Sequence, residues 1–216
     1  KTDAGKLRHH AVVFENPSGE IGARREARGT KNLAPFASHL VPKTMLDPKK
    51  PPTTLAEMAQ RTFVKNAVRP YLGEKAKGAA EYSYATYSEI GARVQSVAGG
   101  ILSLDLARGD RAAILSESCK EWVIADLACQ MVGVATVPFY ATLPSNQIAV
   151  MLRDCGAELI FVSGASQLQK VLEIQGDLPE LKQIVVFETV EENAEKIIPF
   201  SDLEKRGQKH WEENRG

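Results

Sequence analysis

The sequence lacks the features that mark membrane-spanning, disulfide-bonded or strongly charged proteins. No apolar run approaches the ~18–20 residues of a membrane-spanning helix, and no signal peptide is visible. Three cysteines, Cys119, Cys129 and Cys155, are an odd number without CxxC spacing. Neither a disulfide framework nor a zinc site is therefore expected, and a reducing cytoplasm fits best. Because Lys+Arg and Asp+Glu both number 27, the overall charge indicates neither nucleic acid nor an anionic membrane as a partner.

Phosphate-binding motifs are absent as well. No GxGxxG occurs, so dinucleotide binding has no support. The segment 73–78 has the spacing of a phosphate-binding loop, but Ala79 and Ala80 follow it where Lys and Ser/Thr are required. The four histidines include no set of close metal ligands. We therefore expect no catalytic residue, no cofactor-binding residue and no metal ligand in this sequence.

Composition divides the chain into three parts. Residues 1–52 hold ten Lys/Arg against five Asp/Glu and read as an extended basic arm or linker. Residues 53–187 carry the helical and strand patterns of a globular α/β subdomain. Residues 188–216 read as an acidic connector, with a short helix at 201–206. A basic arm could touch phosphate or lipid head groups, although a solvated tail is the alternative that we favour.

Helix starts are predicted by three capping boxes, in which a hydroxyl and a carboxylate three residues apart satisfy each other's backbone N–H groups. The pairs are Thr54 with Glu57, Thr86 with Glu89, and Ser118 with Glu121. Gly99-Gly100 lies inside the second helix and costs about 1–2 kcal/mol relative to alanine. We expect a neighbouring element to approach this pair closely.

Apolar runs at 111–116, 134–139, 157–162 and 183–187 predict strands that alternate with amphipathic helices. Continuous apolar strands between such helices are typical of a parallel sheet that is covered on both faces. The fold class is therefore α/β, with a mostly parallel sheet and helices on both faces. The crossover connections should be right-handed.

Four segments together resemble one enzyme family. They are Gly109-Asp110-Arg111, Glu121-Trp122, the run Val-Pro-Phe-Tyr-Ala-Thr-Leu at 137–143, and Tyr-Ala-Thr-Tyr-Ser-Glu-Ile at 84–90. Residues 53–210 resemble the N-terminal portion of the AMP-forming long-chain fatty acid–CoA ligases, in the acyl-adenylate-forming superfamily of AMP-dependent synthetases and ligases. The Tyr-x-Thr-Leu ending favours long-chain acyl substrates. Ser118 stands where relatives often have Asn, and the first 52 residues match nothing in the family.

The resemblance implies a two-step reaction in which a fatty carboxylate and ATP give acyl-AMP, and CoA then displaces AMP. The parent enzyme would use ATP, Mg²⁺ and CoA. The family's Ser/Thr/Gly-rich loop with its lysine, its acidic metal ligand and its C-terminal lysine are not found in this sequence. We therefore expect the N-terminal portion of a longer enzyme, inactive alone and binding no cofactor by itself. Its partners would be fatty acid, ATP and CoA through the missing remainder, with no nucleic acid.

Tyr140 and Thr142 are the candidate residues of the substrate cleft, because they follow a strand at its carboxyl end. In the alternative interpretation, Pro138 sets a turn and Tyr140 buries its ring. Lys170 and Lys182 are interpreted as ordinary surface lysines.

Two other functions stay open: a non-catalytic α/β interaction module, and one chain of a split adenylating enzyme. We expect a cytoplasmic protein with at most peripheral membrane contact. Apolar surface that the remainder would cover predicts self-association.

Overall fold

The structure is a computed structural model that describes residues 51–76, 78–191 and 194–214, together with the backbone of residues 13 and 14. The predicted basic arm therefore lies almost wholly outside the described residues. The elements in chain order are β1 (Val13–Phe14), α1 (Leu55–Lys65), β2 (Pro70–Glu74), β3 (Ser83–Thr86), α2 (Tyr87–Leu102), β4 (Arg111–Leu115), α3 (Lys120–Val132), β5 (Ala135–Phe139), α4 (Ser145–Cys155), β6 (Leu159–Val162), α5 (Ala165–Leu172), a 3₁₀ turn (Gln175–Asp177), β7 (Gln183–Val186), β8 (Ile197–Pro199) and α6 (Phe200–Glu213). In this described part of the chain, no helix is both long and apolar enough to cross a membrane.

Five strands form a parallel sheet in the order β5-β4-β6-β7-β8. Ala113 of β4 lies opposite Val137 of β5 on one side and Ile160 of β6 on the other. Side chains alternate between the faces: Ile114 packs with α2, α3 and α6, whereas Leu115 packs with α4 and α5. Helices thus cover both faces, which is why the central strands are continuously apolar. The predicted α/β fold with a mostly parallel sheet is confirmed.

A smaller antiparallel sheet, ordered β1-β2-β3, lies against the layer that holds α2 and α3. Leu72 of β2 is buried in the same core cluster as those helices. Lys120 at the start of α3 contacts the Glu74 carboxylate at 2.6 Å, which ties the small sheet to the parallel layer. Strand β3 leads directly into α2.

The predicted N-caps Thr54 and Thr86 are confirmed, but the Glu57 carboxylate accepts from the backbone N–H and hydroxyl of Thr53, so the second half of the predicted Thr54–Glu57 capping box does not form. The Thr54 hydroxyl accepts a hydrogen bond from the Glu57 backbone N–H at 3.0 Å, and the Thr86 hydroxyl accepts one from the Glu89 N–H at 3.3 Å. At α2 the Glu89 carboxylate also accepts from the Thr86 backbone N–H at 2.7 Å, which completes the capping box.

The capping box predicted at Ser118 and Glu121 is wrong. Helix α3 begins at Lys120, and Cys119 occupies the cap position without a side-chain cap hydrogen bond. The Glu121 carboxylate instead accepts a hydrogen bond from Arg93 of α2 at 3.2 Å. The Glu121 side chain is therefore used in an ion pair with another helix, and it does not cap α3.

Arg93 joins three helices. Its guanidinium contacts Glu204 of α6 at 2.7 Å and Glu121 of α3 at 3.2 Å, and it lies 5.7 Å from the centre of the Phe200 ring. Burial alone would lower the pKa of Arg93, but the hydrogen bond and charge of Glu204, with those of Glu121, outweigh burial and raise it. The ion pairs therefore hold α2, α3 and α6 together.

The last part of the chain folds into the core. Strand β8 pairs in parallel with β7, and α6 runs for 14 residues. The short helix predicted at 201–206 is therefore part of a longer helix, and β8 has no counterpart among the predicted strands. The segment 188–216, expected as a connector, thus contributes two packed elements. The three-part division of the chain itself stays a prediction.

Helices α2 and α6 meet at glycines. A Cβ atom added to Gly207 of α6 would lie 1.7 Å from the Ser96 carbonyl oxygen and 2.4 Å from the Gly100 nitrogen. Beyond this contact, the Trp211 indole N–H donates to the Gln95 carbonyl at 2.8 Å. The close approach predicted from the Gly-Gly pair of α2 is confirmed, and its partner is α6.

Candidate functional site

The strand order favours a ligand site at the carboxyl edge of the parallel sheet. β4 and β6 are neighbours in the sheet, but the connection from β4 leads to β5 on one side, whereas the connection from β6 leads to β7 on the other side. Open α/β sheets bind ligands outside the carboxyl ends of their strands, at such a switch point. The residues directly after β4, β5 and β6 are therefore the first candidates.

Tyr140 and Thr142 lie directly after β5, at this edge, and both are exposed; the Tyr140 side chain is 82% exposed. The Leu143 N–H donates to the Tyr140 carbonyl at 3.0 Å and closes a turn over residues 140–143. We call these four residues the Tyr140 turn. The strand-end position expected for the two residues is confirmed, whereas their role in a substrate cleft stays a prediction.

The alternative interpretation of this segment is wrong. The Tyr140 ring is not buried, and Pro138 lies inside β5, opposite Ile114, and does not form the turn. Proline has no N–H to donate, so within a sheet it is tolerated at an edge strand. β5 has that position in the described five-stranded sheet.

Two contacts attach the Tyr140 turn to the rest of the fold. Leu143 packs against the apolar cluster formed by α4, α5 and the sheet. The Lys170 ammonium on α5 is partly buried and donates to the Ala141 carbonyl at 2.8 Å. The interpretation of Lys170 as an ordinary surface lysine is therefore wrong, because its amino group is used inside the fold. Lys182 does fit that interpretation: its side chain is 58% exposed and pairs with Glu158 at 2.6 Å.

Glu117 occupies the switch point between β4 and β6. Its carboxylate accepts hydrogen bonds from the Ser163 hydroxyl at 2.5 Å and from the Gln167 amide at 2.8 Å. Gln167 is only 7% exposed. The carboxylate thus binds the end of β4 to the start of α5. The signal in the sequence is an acidic residue close behind a buried apolar strand, β4.

The other acidic and thiol side chains have structural surroundings. Asp126 accepts from Thr136 at 2.6 Å and from Gln130 at 2.7 Å, which fixes α3 to β5. Burial raises the pKa of the Cys119 thiol to about 11, and burial also raises the pKa of Cys129. Neither thiol is a ready nucleophile near neutral pH, because the thiolate is the reactive form.

The described residues do not fit a metal ion or a nucleotide triphosphate. Among them, no group of three or more His, Cys, Asp or Glu side chains comes close enough to hold a metal. At the switch point, the Glu117 carboxylate is already hydrogen-bonded by protein donors. We therefore assign no phosphate-binding or Mg²⁺-binding role to the residues that the structure describes.

A shallow groove of about 340 Å³ lies at the opposite edge of the sheet. Ala157 before β6 and Leu181 before β7 contribute to its floor, and Arg153 and Glu180 contribute to its rim. Because these residues precede the strands, the groove is at the amino edge. It is separate from the Tyr140 turn and from the switch point.

Comparisons with known proteins agree with this architecture. Residues 56–214 match the family model described as AMP-binding enzyme. The long-chain-fatty-acid–CoA ligase FadD15 of Mycobacterium bovis is 34% identical over 100 residues, which cover 46% of this chain and 17% of that protein. The long-chain-fatty-acid–CoA ligase ACSBG1 of Rattus norvegicus is 29% identical over 192 residues, covering 88% of this chain and 25% of that protein. The chain therefore spans a quarter or less of these relatives' length. Residues 53–216 make up less than 88% of the chain, so the ACSBG1 match extends into residues 1–52, and the expectation that those residues match nothing in the family is wrong.

A solved structure shares the fold. The crystal structure of the anthranilate CoA ligase AuaEII in complex with anthranoyl-AMP superposes with a TM-score of 0.60 at 20% sequence identity. The match covers 71% of this chain and 28% of that one.

Proposed function

Because the chain belongs to the AMP-binding enzyme family, we propose that it forms part of an ATP-dependent, AMP-forming long-chain fatty acid–CoA ligase. The observation that carries the proposal is the match to the family over residues 56–214. It is supported by the fatty acid–CoA ligase relatives, which match up to 88% of the chain. The Val-Pro-Phe-Tyr-Ala-Thr-Leu segment adds to this support, because it ends β5 in an exposed turn at the ligand edge of the sheet.

The proposed reaction has two displacements. A carboxylate oxygen of the fatty acid attacks the α-phosphorus of ATP, which forms acyl-AMP and releases pyrophosphate. The thiol of CoA then loses its proton to solvent, its sulfur attacks the acyl carbon, and AMP leaves with the electron pair of the broken C–O bond. Mg²⁺ and positively charged donors would stabilise the negative charge of both steps.

This chain would supply scaffold and substrate contact to that reaction and no chemical group. The parallel sheet is rigid, since helices bury both of its faces. Tyr140 and Thr142 would then contact the acyl side of the cleft from the Tyr140 turn. No described residue is proposed to transfer a proton, bind a phosphate or form a covalent bond.

The test is fatty-acid-dependent exchange of labelled pyrophosphate into ATP. The 216-residue chain alone should show no exchange above a buffer control, whereas a polypeptide that joins it to a phosphate-loop-containing remainder should exchange with palmitate. Exchange by the isolated chain would contradict the proposal that it lacks the chemistry. Failure of the joined polypeptide with every fatty acid from short to long would contradict the ligase assignment.

One observation favours a second candidate function: the given sequence contains no phosphate-binding loop. The chain could therefore be an interaction module or one half of a split enzyme. The coding sequence that follows Gly216 separates these functions. An in-frame Thr-Ser-Gly-Thr-Thr-Gly-x-Pro-Lys-like segment supports a single-chain ligase; a stop codon, with activity restored by a second chain added in trans, supports the split enzyme.

The proposed cytoplasmic location and self-association belong to the same proposal. The proposed self-association is motivated by two exposed apolar side chains one helical turn apart on α1, Leu55 at 60% and Met58 at 48%. Light scattering of the chain at increasing concentration should show species larger than a monomer. A constant monomer mass would contradict self-association, and recovery of the protein in the membrane fraction after salt washing would contradict the location.

A further inference from the structure

The Tyr140 turn alternates between residues that are held and residues that are exposed. The Ala141 carbonyl is bound by Lys170, and Leu143 packs into the apolar cluster beside α4 and α5. The two side chains between them, Tyr140 and Thr142, are exposed. A turn without anchors would sample many conformations, so these contacts limit the directions in which the two exposed side chains can point.

The anchors come from α5, and α5 is itself fixed at both ends. At its start, Gln167 donates to the Glu117 carboxylate at 2.8 Å. At its end, the Glu173 carboxylate accepts from the hydroxyl of Ser145, the first residue of α4, at 2.5 Å. Lys170 lies between these two ties. The helix therefore offers a rigid support from which a long side chain can reach the turn.

Lys170 is suited to this role by its chemistry. Its ammonium carries three donors, and a charged donor makes a stronger bond to a carbonyl than a neutral one does. Partial burial of the side chain limits competition from water. The acceptor of this ammonium is a main-chain carbonyl of the turn.

We infer that Lys170 is a positioning residue, which holds the Tyr140 turn in the conformation that receives the acyl chain of the substrate. The inference rests on the proposed ligase function for the identity of the ligand. The positioning itself rests on the hydrogen bond from the Lys170 ammonium to the Ala141 carbonyl and on the packing of Leu143. Lys170 acts through the turn and takes no part in the chemical steps.

The first arm of the test measures the turn in the 216-residue chain. Lys170→Met keeps most of the side-chain length and removes the charged donor. We expect the Leu143 amide to exchange its proton with solvent about tenfold faster by NMR, since that amide closes the turn, while amides of β4 and β6 keep their rates and show that the fold is intact. Lys182→Met, which removes an exposed lysine at the other edge of the sheet, should leave Leu143 exchange unchanged. Equal Leu143 exchange in wild type and Lys170→Met would overturn the inference.

The second arm measures the substrate in the active ligase that contains this chain. Lys170→Met should raise KM for palmitate about tenfold with little change in kcat and none in KM for ATP. Lys170→Arg, which keeps a charged donor, should recover most of the loss. If the wild-type ligase is active and Lys170→Met has the same KM for palmitate, the positioning role of Lys170 is overturned and the proposed function is not. A wild-type polypeptide without fatty-acid-dependent activity would overturn the proposed function, and the acyl role of the turn with it.

Discussion

Replacing Gly207 by alanine tests the contact between α2 and α6. The new Cβ would lie 1.7 Å from the Ser96 carbonyl oxygen and 2.4 Å from the Gly100 nitrogen, and both are backbone atoms that no side-chain rotation can move away. Ordinary contact begins near 3.4 Å, so the helices must separate by about 1.7 Å at this point. A gap of ~0.5–1 Å already removes a quarter to a half of the attraction between two packed atoms.

The expected cost follows from two opposing effects. Alanine is favoured over glycine inside a helix by up to about 1 kcal/mol. Overpacking costs about 1–3 kcal/mol where side chains can adjust, and more where only backbone is available to move. We therefore expect a net loss of about 3 kcal/mol, which corresponds to a fall of roughly 6–12 °C in Tm for a chain of this length.

The assay is thermal and urea unfolding of wild type, Gly207→Ala and a matched control. Gly176→Ala is that control, because a Cβ there meets nothing within 4 Å. Removing a glycine from an open position reduces the freedom of the unfolded chain, so Gly176→Ala should leave Tm unchanged or slightly raised. A Tm for Gly207→Ala equal to that of Gly176→Ala would refute the argument that α2 and α6 touch through backbone.

Three further predictions concern single side chains. Arg93→Met should destabilise the fold by about 1–3 kcal/mol in urea unfolding, since it leaves two partly buried carboxylates without their cation; Lys209→Met, which removes an exposed ion pair of 3.6 Å, should change little. Cys119, whose pKa burial raises to about 11, should be alkylated slowly at pH 8, where roughly 0.1% of the thiol is ionised, and faster as pH approaches 11, as followed by peptide mass spectrometry. The Glu57 carboxyl should titrate below its ordinary value of 4.5 by NMR, because the Thr53 backbone N–H and hydroxyl donate to it and lower its pKa; its stabilising effect is present above that value and is lost as pH falls.

Each of these has a result that contradicts it. Equal unfolding midpoints for Arg93→Met and Lys209→Met would show that the three-helix ion pairs contribute nothing. Alkylation of Cys119 at pH 8 as fast as that of a free cysteine peptide would show that the thiol is open to solvent. A Glu57 titration midpoint at or above 4.5 would show that the hydrogen bonds at the start of α1 are absent in solution.

The parallel layer was predictable from the sequence, because its strands are runs of apolar residues that alternate with amphipathic helices, although the start signal predicted for α3 is wrong. β8 is harder to recognise, since Ile197–Pro199 is three residues long and ends in proline. Helix α6 is polar for most of its length, and one of its buried positions is Gly207. In the sequence, a glycine that allows two helices to approach cannot be told from a glycine that only weakens a helix. The full length of α6 could therefore not be predicted.

The candidate site was predictable in part for a similar reason. Tyr140 could be placed because it directly follows a strand, and strand ends are visible in sequence. The contacts that fix the turn and the switch point join residues far apart in the chain: Lys170 bonds a carbonyl 29 residues away, and Glu117 bonds side chains 46 and 50 residues away. Such pairs leave no periodic pattern, and a lysine or glutamate on a surface helix or loop is usually solvated.

The contact between α2 and α6 has a consequence for folding during synthesis on the ribosome. The Trp211 indole that packs against α2 is 116 residues further along the chain than its partner, Gln95. At a synthesis rate of ~5–20 residues per second, roughly 6 to 23 seconds pass between the appearance of the two. During that interval the glycine face of α2 has no partner helix and stays open to a chaperone that binds nascent chains. Ribosome-bound chains stopped before and after Trp211 should therefore differ in chaperone crosslinking to α2.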